Sequence, residues 1–277
     1  MRFSNRQKMN RLLRGAGRRL AKPFQEIRNR VMFPVWLSRG TPLLVYQMGK
    51  VGSSSIGRSL ARAYPGISVN AHDFSDDHPK WMVRRLYRAV MNDGVAVNII
   101  SLIREPIGRN VSAFFENYKR DTGVSYQKSD LTIEQLRQRF LANYRHDLPL
   151  EWFENHIQEK FGIDVYASSF PDRGYATYVS GPVRLLLLKS EVPDSEKEVA
   201  IGDFLNIPSF RLLRANVGDA KMYADQYRSF KETVRLPKEY VDHMCASRYF
   251  THFYSPETIE VIRRRWSDSG ADDSGSS

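Results

Sequence analysis

The chain has 277 residues, of which 42% are hydrophobic and 26% charged, so it can bury a substantial core and is not a disordered protein. Its single cysteine, Cys245, excludes an intramolecular disulfide and a metal site built from several cysteines. We expect Cys245 to be a small buried apolar group. No run of about 18 apolar residues occurs, and the basic start of the chain is not followed by an apolar stretch, so we expect a cytoplasmic protein.

The formal charge of +11 is concentrated at the N-terminus. Residues 1–40 contain eleven Lys or Arg and one acid, Glu26, so the rest of the chain is close to neutral. We therefore expect no basic face elsewhere and no nucleic-acid partner. The basic segment can make a peripheral contact with the inner face of an anionic membrane or with an anionic polymer. The alternative is a solvated leader that only adds solubility.

Composition divides the chain into a basic N-terminal extension (1–40), one folded domain (41–266) and a tail (267–277) whose sequence predicts disorder. Three runs predict strands of the folded domain, and the third is apolar on both faces, as in a buried central strand: 43–47, 67–74 and 95–103. Helical spacing follows each run, at 57–64, at 79–92 and from Pro106 onward. This alternation predicts an α/β fold with a parallel sheet.

Further along the chain, residues 131–161 predict two helices, the first with a capping box formed by Thr132 and Gln135. Strand-like pieces follow at 163–166, 174–180 and 183–188. The C-terminal third is mostly helical in pattern, with Ser255 before Pro256 as a helix start.

The segment MGKVGSSSI (48–56) lies between the first predicted strand and its helix. Unpaired backbone N–H groups at such a junction point one way and attract an anion. Gly49 and Gly52 allow the backbone to fold closely around it, Ser53, Ser54 and Ser55 add hydroxyl donors, and Lys50 adds a charge. The alternative is an ordinary strand-to-helix turn with serine caps. The phosphate loop of nucleotide triphosphatases does not fit, because Gly52 is followed by serine and not by lysine.

A second candidate element follows the third strand, in SLIREPIGRNVSAFFEN (101–117). Arg104 ends the strand, and Ser112 lies eight residues later on the next helix. Both side chains can therefore converge on one anion at the carboxyl end of the sheet.

Together the two elements resemble the sulfotransferases that use 3′-phosphoadenosine-5′-phosphosulfate (PAPS). In these enzymes a lysine, a glycine and then serines or threonines open a helix behind the first strand. The chain looks most like the carbohydrate sulfotransferases and the bacterial capsular polysaccharide synthesis family. Residues 185–192 and two C-terminal stretches, MYADQYRSFKETVRLP (222–237) and HFYSPETIEVIRRRW (252–266), extend this resemblance. The chain departs from the cytosolic sulfotransferases in lacking their basic, glycine-rich C-terminal segment, which leaves Lys221 as the candidate contact to adenosine.

The resemblance implies a P-loop-like, three-layer α/β/α fold with a central parallel sheet and a helical C-terminal part. It implies that Lys50 contacts the sulfate and that Arg104 and Ser112 bind the 3′-phosphate. The 5′-phosphate would be held by Gly52, Ser53, Ser54, Ser55 and Ile56. By the same resemblance, the acceptor is a hydroxyl of a carbohydrate, and the enzyme works in a bacterial cytosol.

Sulfuryl transfer needs a group that takes the proton of the acceptor hydroxyl, and no metal is expected. His72 follows the second predicted strand, and histidine is the side chain that ordinarily titrates near neutrality, so His72 is the candidate base. Asp73 can orient it or act in its place. Four aromatic residues can stack on sugars or belong to the core: Trp81, Phe153, Tyr175 and Tyr178.

Two other functions fit parts of the sequence. A nucleotide-dependent kinase with an atypical phosphate loop would need an aspartate at a strand end to hold Mg²⁺, whereas the third strand ends in Arg104. A non-enzymatic capsule or polysaccharide assembly protein would bind membrane or polymer through residues 1–40.

Overall fold

The structure, a computed structural model, describes residues 27, 30–122, 131–213 and 224–267. Most of the predicted basic extension, Lys221 and the predicted tail beyond Ser267 lie outside these residues. The fold is α/β, with one five-stranded sheet whose strand order is β2-β1-β3-β5-β4. The strands are β1 (Leu43–Tyr46), β2 (Ser68–Ala71), β3 (Val97–Ile103), β4 (Tyr175–Ser180) and β5 (Val183–Lys189).

Helices connect and follow the strands. The first part comprises α1 (30–38), α2 (Ser54–Ala63), α3 (Trp81–Met91) and α4 (Pro106–Thr122). Next come α5 (Ile133–Asn143) and α6 (Leu148–Phe153), which continues through a π-helical turn (Glu154–Gln158) into α7 (Glu159–Phe161). The remaining helices are α8 (Asp194–Leu205), α9 (Ala224–Thr233), α10 (Lys238–Ala246), α11 (Arg248–Phe253) and α12 (Pro256–Trp266).

The centre of the sheet is buried on both faces, as the apolar runs predict. All seven residues of β3 are buried, and β3 lies between β1 and β5 with parallel pairing to both. β2 pairs with the other edge of β1 in the same direction. Since parallel strands end at the same edge, the segments that follow β1, β2 and β3 come together there.

The predicted parallel sheet is confirmed in part, and one predicted strand is wrong. The pairs β1–β2, β1–β3 and β3–β5 are parallel, whereas β4 pairs antiparallel with β5. Only Gly181 and Pro182 separate these strands, and a two-residue connection can join only an antiparallel pair. Residues 163–166 do not form a strand. Ile163 and Val165 are buried there without strand pairing, and a short apolar run does not by itself distinguish a strand from another buried segment.

Several local predictions are confirmed. Thr132 and Gln135 form the capping box of α5, with the Thr132 hydroxyl accepting from the Gln135 amide at 3.2 Å. Ser255 caps α12 ahead of Pro256. Cys245 is buried in α10. Within the described residues, no helix is both long and apolar enough to cross a membrane.

Candidate functional site

A cleft of about 1290 Å³ opens at the carboxyl edge of β1, β2 and β3. The segments after these strands line it, together with α4, α6 and α9. The structure brings eight of the nine predicted site residues to this cleft: Lys50, Gly52, Ser53, Ser54, Ser55, His72, Arg104 and Ser112. Ile56 does not line it, since this residue is 2% exposed and belongs to the core.

The loop after β1 has an unusual backbone conformation. Lys50 has φ of 72° and Gly52 has φ of 85°, both in the left-handed region. Glycine adopts this region without strain, whereas a lysine does so at a cost of about 1–2 kcal/mol. Strained residues of this kind are concentrated at functional sites, where the surrounding structure holds them.

Two arginines hold the loop by its carbonyl groups. Arg104 donates from its guanidinium to the backbone oxygen of Lys50 at 2.8 Å, and Arg109 donates to that of Gly49 at 2.9 Å. These bonds satisfy two backbone carbonyl oxygens of the loop. Arg109 is 3% exposed and also donates to the Tyr144 hydroxyl at 2.8 Å, so it is a buried support of the loop.

The start of α2 faces the same cleft. Ser53 is the N-cap residue, but its hydroxyl oxygen accepts from Gln47 Nε2 at 2.5 Å instead of from an amide of the first turn. Gln47 is fully buried, and its Oε1 atom has no hydrogen-bond partner within the described part of the chain. The first-turn amides and the hydroxyls of Ser54 and Ser55 can therefore serve an anion in the cleft.

Arg104 is fixed through its own backbone. The hydroxyl of Tyr249 accepts from the Arg104 N–H at 3.2 Å and donates to the Arg104 carbonyl at 2.9 Å. Burial raises the pKa of Tyr249 well above its ordinary value, so the hydroxyl stays protonated and keeps its donor role. This tyrosine lies on α11, 145 residues away along the chain, and no sequence pattern indicates the contact.

The helix α4 presents two polar residues to the loop. Ser112 is 8% exposed, and Glu116, one turn later on the same face, forms an ion pair with Lys50 at 3.3 Å. Both residues line the cleft. Lys50, Arg104 and Ser112 thus line the same cleft.

Two histidines of the described segments line the cleft, one predicted and one not. The His72 ring lies with Nδ1 2.9 Å from the backbone oxygen of Gln47. His156, in the π-helical turn, stacks on Trp152 and shares a 2.6 Å hydrogen bond between its Nδ1 atom and the Tyr46 hydroxyl. Burial lowers the pKa of His156, which favours its neutral form. A π-helical turn often marks a functional position, but no sequence signal identifies this one.

The cleft carries a large excess of positive charge. Among the residues that the structure describes, eight Lys or Arg line it against two acids, Glu116 and Glu232: Lys50, Arg104, Arg109, Arg120, Arg145, Arg228, Lys231 and Arg265. The expectation of no basic face outside the N-terminus is therefore wrong. The charge of the chain beyond residue 40 nearly cancels along the sequence, but folding gathers cations from separate elements into one concave surface.

The aromatic residues of the cleft differ from those suggested by the sequence. Trp81 packs on Phe33, Phe153 is 1% exposed in the core, and Tyr175 and Tyr178 pack on the core from β4. The cleft is instead lined by Tyr144, Trp152 and Tyr227. In the described ranges, no group of three or more His, Cys, Asp or Glu side chains is placed to hold a metal ion.

Comparison with known proteins finds one family model that matches part of the chain. No curated protein and no solved structure gives a significant match. A family model described as "Putative capsular polysaccharide synthesis protein" matches residues 126–255, slightly less than half of the chain. The matched region includes the cleft residues Tyr144, Trp152 and His156, and it supports the capsular part of the predicted resemblance. Over residues 126–255, the chain is therefore similar to a family associated with capsular polysaccharide synthesis.

Proposed function

We propose that the protein is a sulfotransferase that moves a sulfuryl group from PAPS to a hydroxyl of a carbohydrate or polysaccharide. The observation that carries this proposal is the convergence of Lys50, the turn at residues 53–55, Arg104 and Ser112 on one basic cleft. The two sequence motifs that suggested these residues, 48–56 and 101–117, are separate along the chain. Folding brings residues of both motifs to the same cleft.

The charge of the cleft suits a donor with several phosphate and sulfate groups. Its described cations outnumber its acids by eight to two, and the loop carbonyls of Gly49 and Lys50 are bonded to arginines. In this proposal Lys50 contacts the sulfate, and the amides and hydroxyls of Gly52 and residues 53–55 hold the 5′-phosphate. Arg104 and Ser112 hold the 3′-phosphate. This use of the strand-to-helix loop is what makes the proposed fold P-loop-like.

PAPS supplies the sulfuryl group, and the protein positions the reactants and stabilises charge. The Lys50 amine contributes positive charge where the donor's bridging oxygen gains negative charge. Its ion pair with Glu116 at 3.3 Å keeps the side chain directed toward α4 and the cleft before the donor binds.

His72 is the proposed general base. The backbone oxygen of Gln47 can only accept a hydrogen bond, so the proton of the neutral ring lies on Nδ1. Nε2 then has a free lone pair that can take the proton of the acceptor hydroxyl. The described geometry gives Asp73 a different partner, because its carboxylate accepts from the Ser75 hydroxyl at 2.6 Å.

A polysaccharide acceptor is supported by the family match, whose description concerns capsular polysaccharide synthesis. The matched region supplies Tyr144, Trp152 and Tyr227 to the cleft, and aromatic rings of this kind can stack on sugar faces. One cleft would then hold both the donor and the acceptor.

The first test is calorimetric binding of 3′-phosphoadenosine-5′-phosphate, the product of donor turnover. We expect wild type to bind it more tightly than ATP with Mg²⁺, and Arg104→Ala to weaken binding by about 10- to 100-fold, since bonds to charged groups contribute about 1.5–3 kcal/mol. Arg62, exposed on α2 and outside the cleft, provides the matched control, Arg62→Ala. A preference for ATP that requires Mg²⁺ would favour the kinase alternative, and binding of neither nucleotide would favour the assembly protein.

The second test measures transfer of the sulfuryl group. Purified protein, radiolabelled PAPS and capsular polysaccharide should give label in the polysaccharide fraction, and Lys50→Ala should abolish it. If the protein binds 3′-phosphoadenosine-5′-phosphate but transfers no label to any carbohydrate hydroxyl, the proposed nucleotide site stands and the proposed carbohydrate acceptor is wrong.

A further inference from the structure

The helix α1 and the helical residue Ile27 just before it carry an apolar stripe on their outer face. Ile27, Val31 and Val35 are 61%, 69% and 41% exposed, and they recur at intervals of four residues. Side chains at this interval lie on one side of a helix. We call these three residues the α1 stripe.

The inner face of α1 is anchored to the folded domain. Phe33 is 1% exposed and packs edge-on against Trp81 of α3, with ring centroids 5.8 Å apart. Trp36 and Leu37 also pack against the core. The orientation of α1 is therefore fixed, and the stripe faces away from the domain.

Other strongly exposed apolar side chains of the described residues do not form such a group. Val179, Val199 and Val261 are 67%, 56% and 64% exposed, but they lie on β4, α8 and α12. Scattered exposed residues are ordinary on a protein surface and need no explanation. Three on one helix face form a patch, and a patch suggests a partner.

The charge of the adjoining sequence indicates which partner. Residues 1–40 contain eleven Lys or Arg and one acid. A sequence segment that combines many cations with an exposed apolar helix face suits a partner surface that is anionic outside and apolar beneath, as an anionic lipid bilayer is. A polysaccharide offers no apolar layer for the stripe. We infer that α1 docks on an anionic membrane, with Ile27, Val31 and Val35 entering the lipid, and that the net positive charge of residues 1–40 favours this docking.

Sedimentation with lipid vesicles tests this inference on the full chain. We expect binding to phosphatidylcholine vesicles that contain about 30% phosphatidylglycerol, and much weaker binding to phosphatidylcholine alone. The variant Ile27→Ser/Val31→Ser/Val35→Ser should have a partition coefficient into anionic vesicles that is lower by about tenfold or more, since insertion depends on buried apolar area. The matched control, Val179→Ser/Val199→Ser/Val261→Ser, removes the same kind of exposed side chain and should bind as wild type. Equal loss in both variants would overturn the inference.

A reporter on the helix keeps the test decisive if the triple variant folds poorly. The fluorescence emission of an environment-sensitive dye attached to Val31→Cys should shift to shorter wavelength when anionic vesicles are added. The emission of the same dye on Val261→Cys should not shift. An unchanged dye at position 31 would exclude insertion. If the protein binds a soluble polyanion such as heparin but not vesicles, the membrane inference is overturned and an anionic polymer is the partner. The inference is independent of sulfuryl transfer, since neither experiment measures it.

Discussion

The Nδ1 atom of His72 lies 2.9 Å from the backbone oxygen of Gln47, and the side-chain amide of the same Gln47 donates to the Ser53 hydroxyl at 2.5 Å. One buried residue thus contacts both the proposed base and the proposed phosphate loop. The base and the loop are held in a fixed relation before any ligand binds.

If His72 is the base, its removal should affect turnover and not donor binding. We expect His72→Ala to lower the rate of sulfuryl transfer by about 10²–10⁴, with the affinity for 3′-phosphoadenosine-5′-phosphate within about twofold of wild type. His78→Ala is the control, because His78 does not line the cleft. Wild-type turnover in His72→Ala would remove the assignment.

The strained conformation of Lys50 predicts a difference between two substitutions. Lys50→Gly and Lys50→Ala both remove the amine and its ion pair with Glu116, so both should abolish turnover. Glycine accepts the φ of 72° without strain, so Lys50→Gly should be more stable than Lys50→Ala by about 1 kcal/mol. Urea unfolding of the two variants measures this difference, and equal stability would mean that the loop is not strained.

The elements that build the proposed donor side of the cleft are predictable from the sequence, because short contiguous motifs determine them. The run before Gly49 and the run before Arg104 are apolar enough to be recognised as strands, and their ends meet at one sheet edge. The other cations of the cleft are not predictable in this way. Arg120, Arg145 and Lys231 come from three separate parts of the chain, and only tertiary packing brings them together.

The supporting contacts of the site are equally hidden in the sequence. Arg109 and Tyr249 hold the loop and Arg104 by bonds to backbone oxygens, and such bonds leave no pattern of residue types. The two-residue connection between β4 and β5 indicates their antiparallel pairing. The alternation of strands and helices earlier in the chain favours parallel pairing instead.

Cys245 should be chemically inert in the folded protein. It is 1% exposed, and burial raises the pKa of its thiol to about 11, so little thiolate forms near neutrality. We expect no alkylation by iodoacetamide at about pH 8 unless denaturant is added. The engineered Val261→Cys, at a position that is 64% exposed, should be labelled under the same conditions. Rapid labelling of native wild type would show that α10 opens readily.

Stability should fall on acidification because of His146. Its Nε2 donates to the Phe140 carbonyl at 3.0 Å, so in the neutral ring Nδ1 accepts from the Tyr240 hydroxyl at 3.1 Å. Burial lowers the pKa of His146 below its ordinary 6.5, and the unfolded chain therefore takes up the proton first. The contribution of His146 is complete above about pH 6.5 and is lost as the pH falls through the folded pKa.

The variant His146→Gln separates this contribution from that of other groups. At about pH 7.5 it should be less stable than wild type by about 1–2 kcal/mol, since it loses buried hydrogen bonds. The difference should narrow as the pH falls, because only wild type then has a histidine to protonate at this position. The acids whose pKa burial raises, Glu105 and Glu154, are present in both proteins and cancel in the comparison. Urea unfolding between about pH 5 and pH 8 measures both curves, and a constant gap would contradict the role of His146.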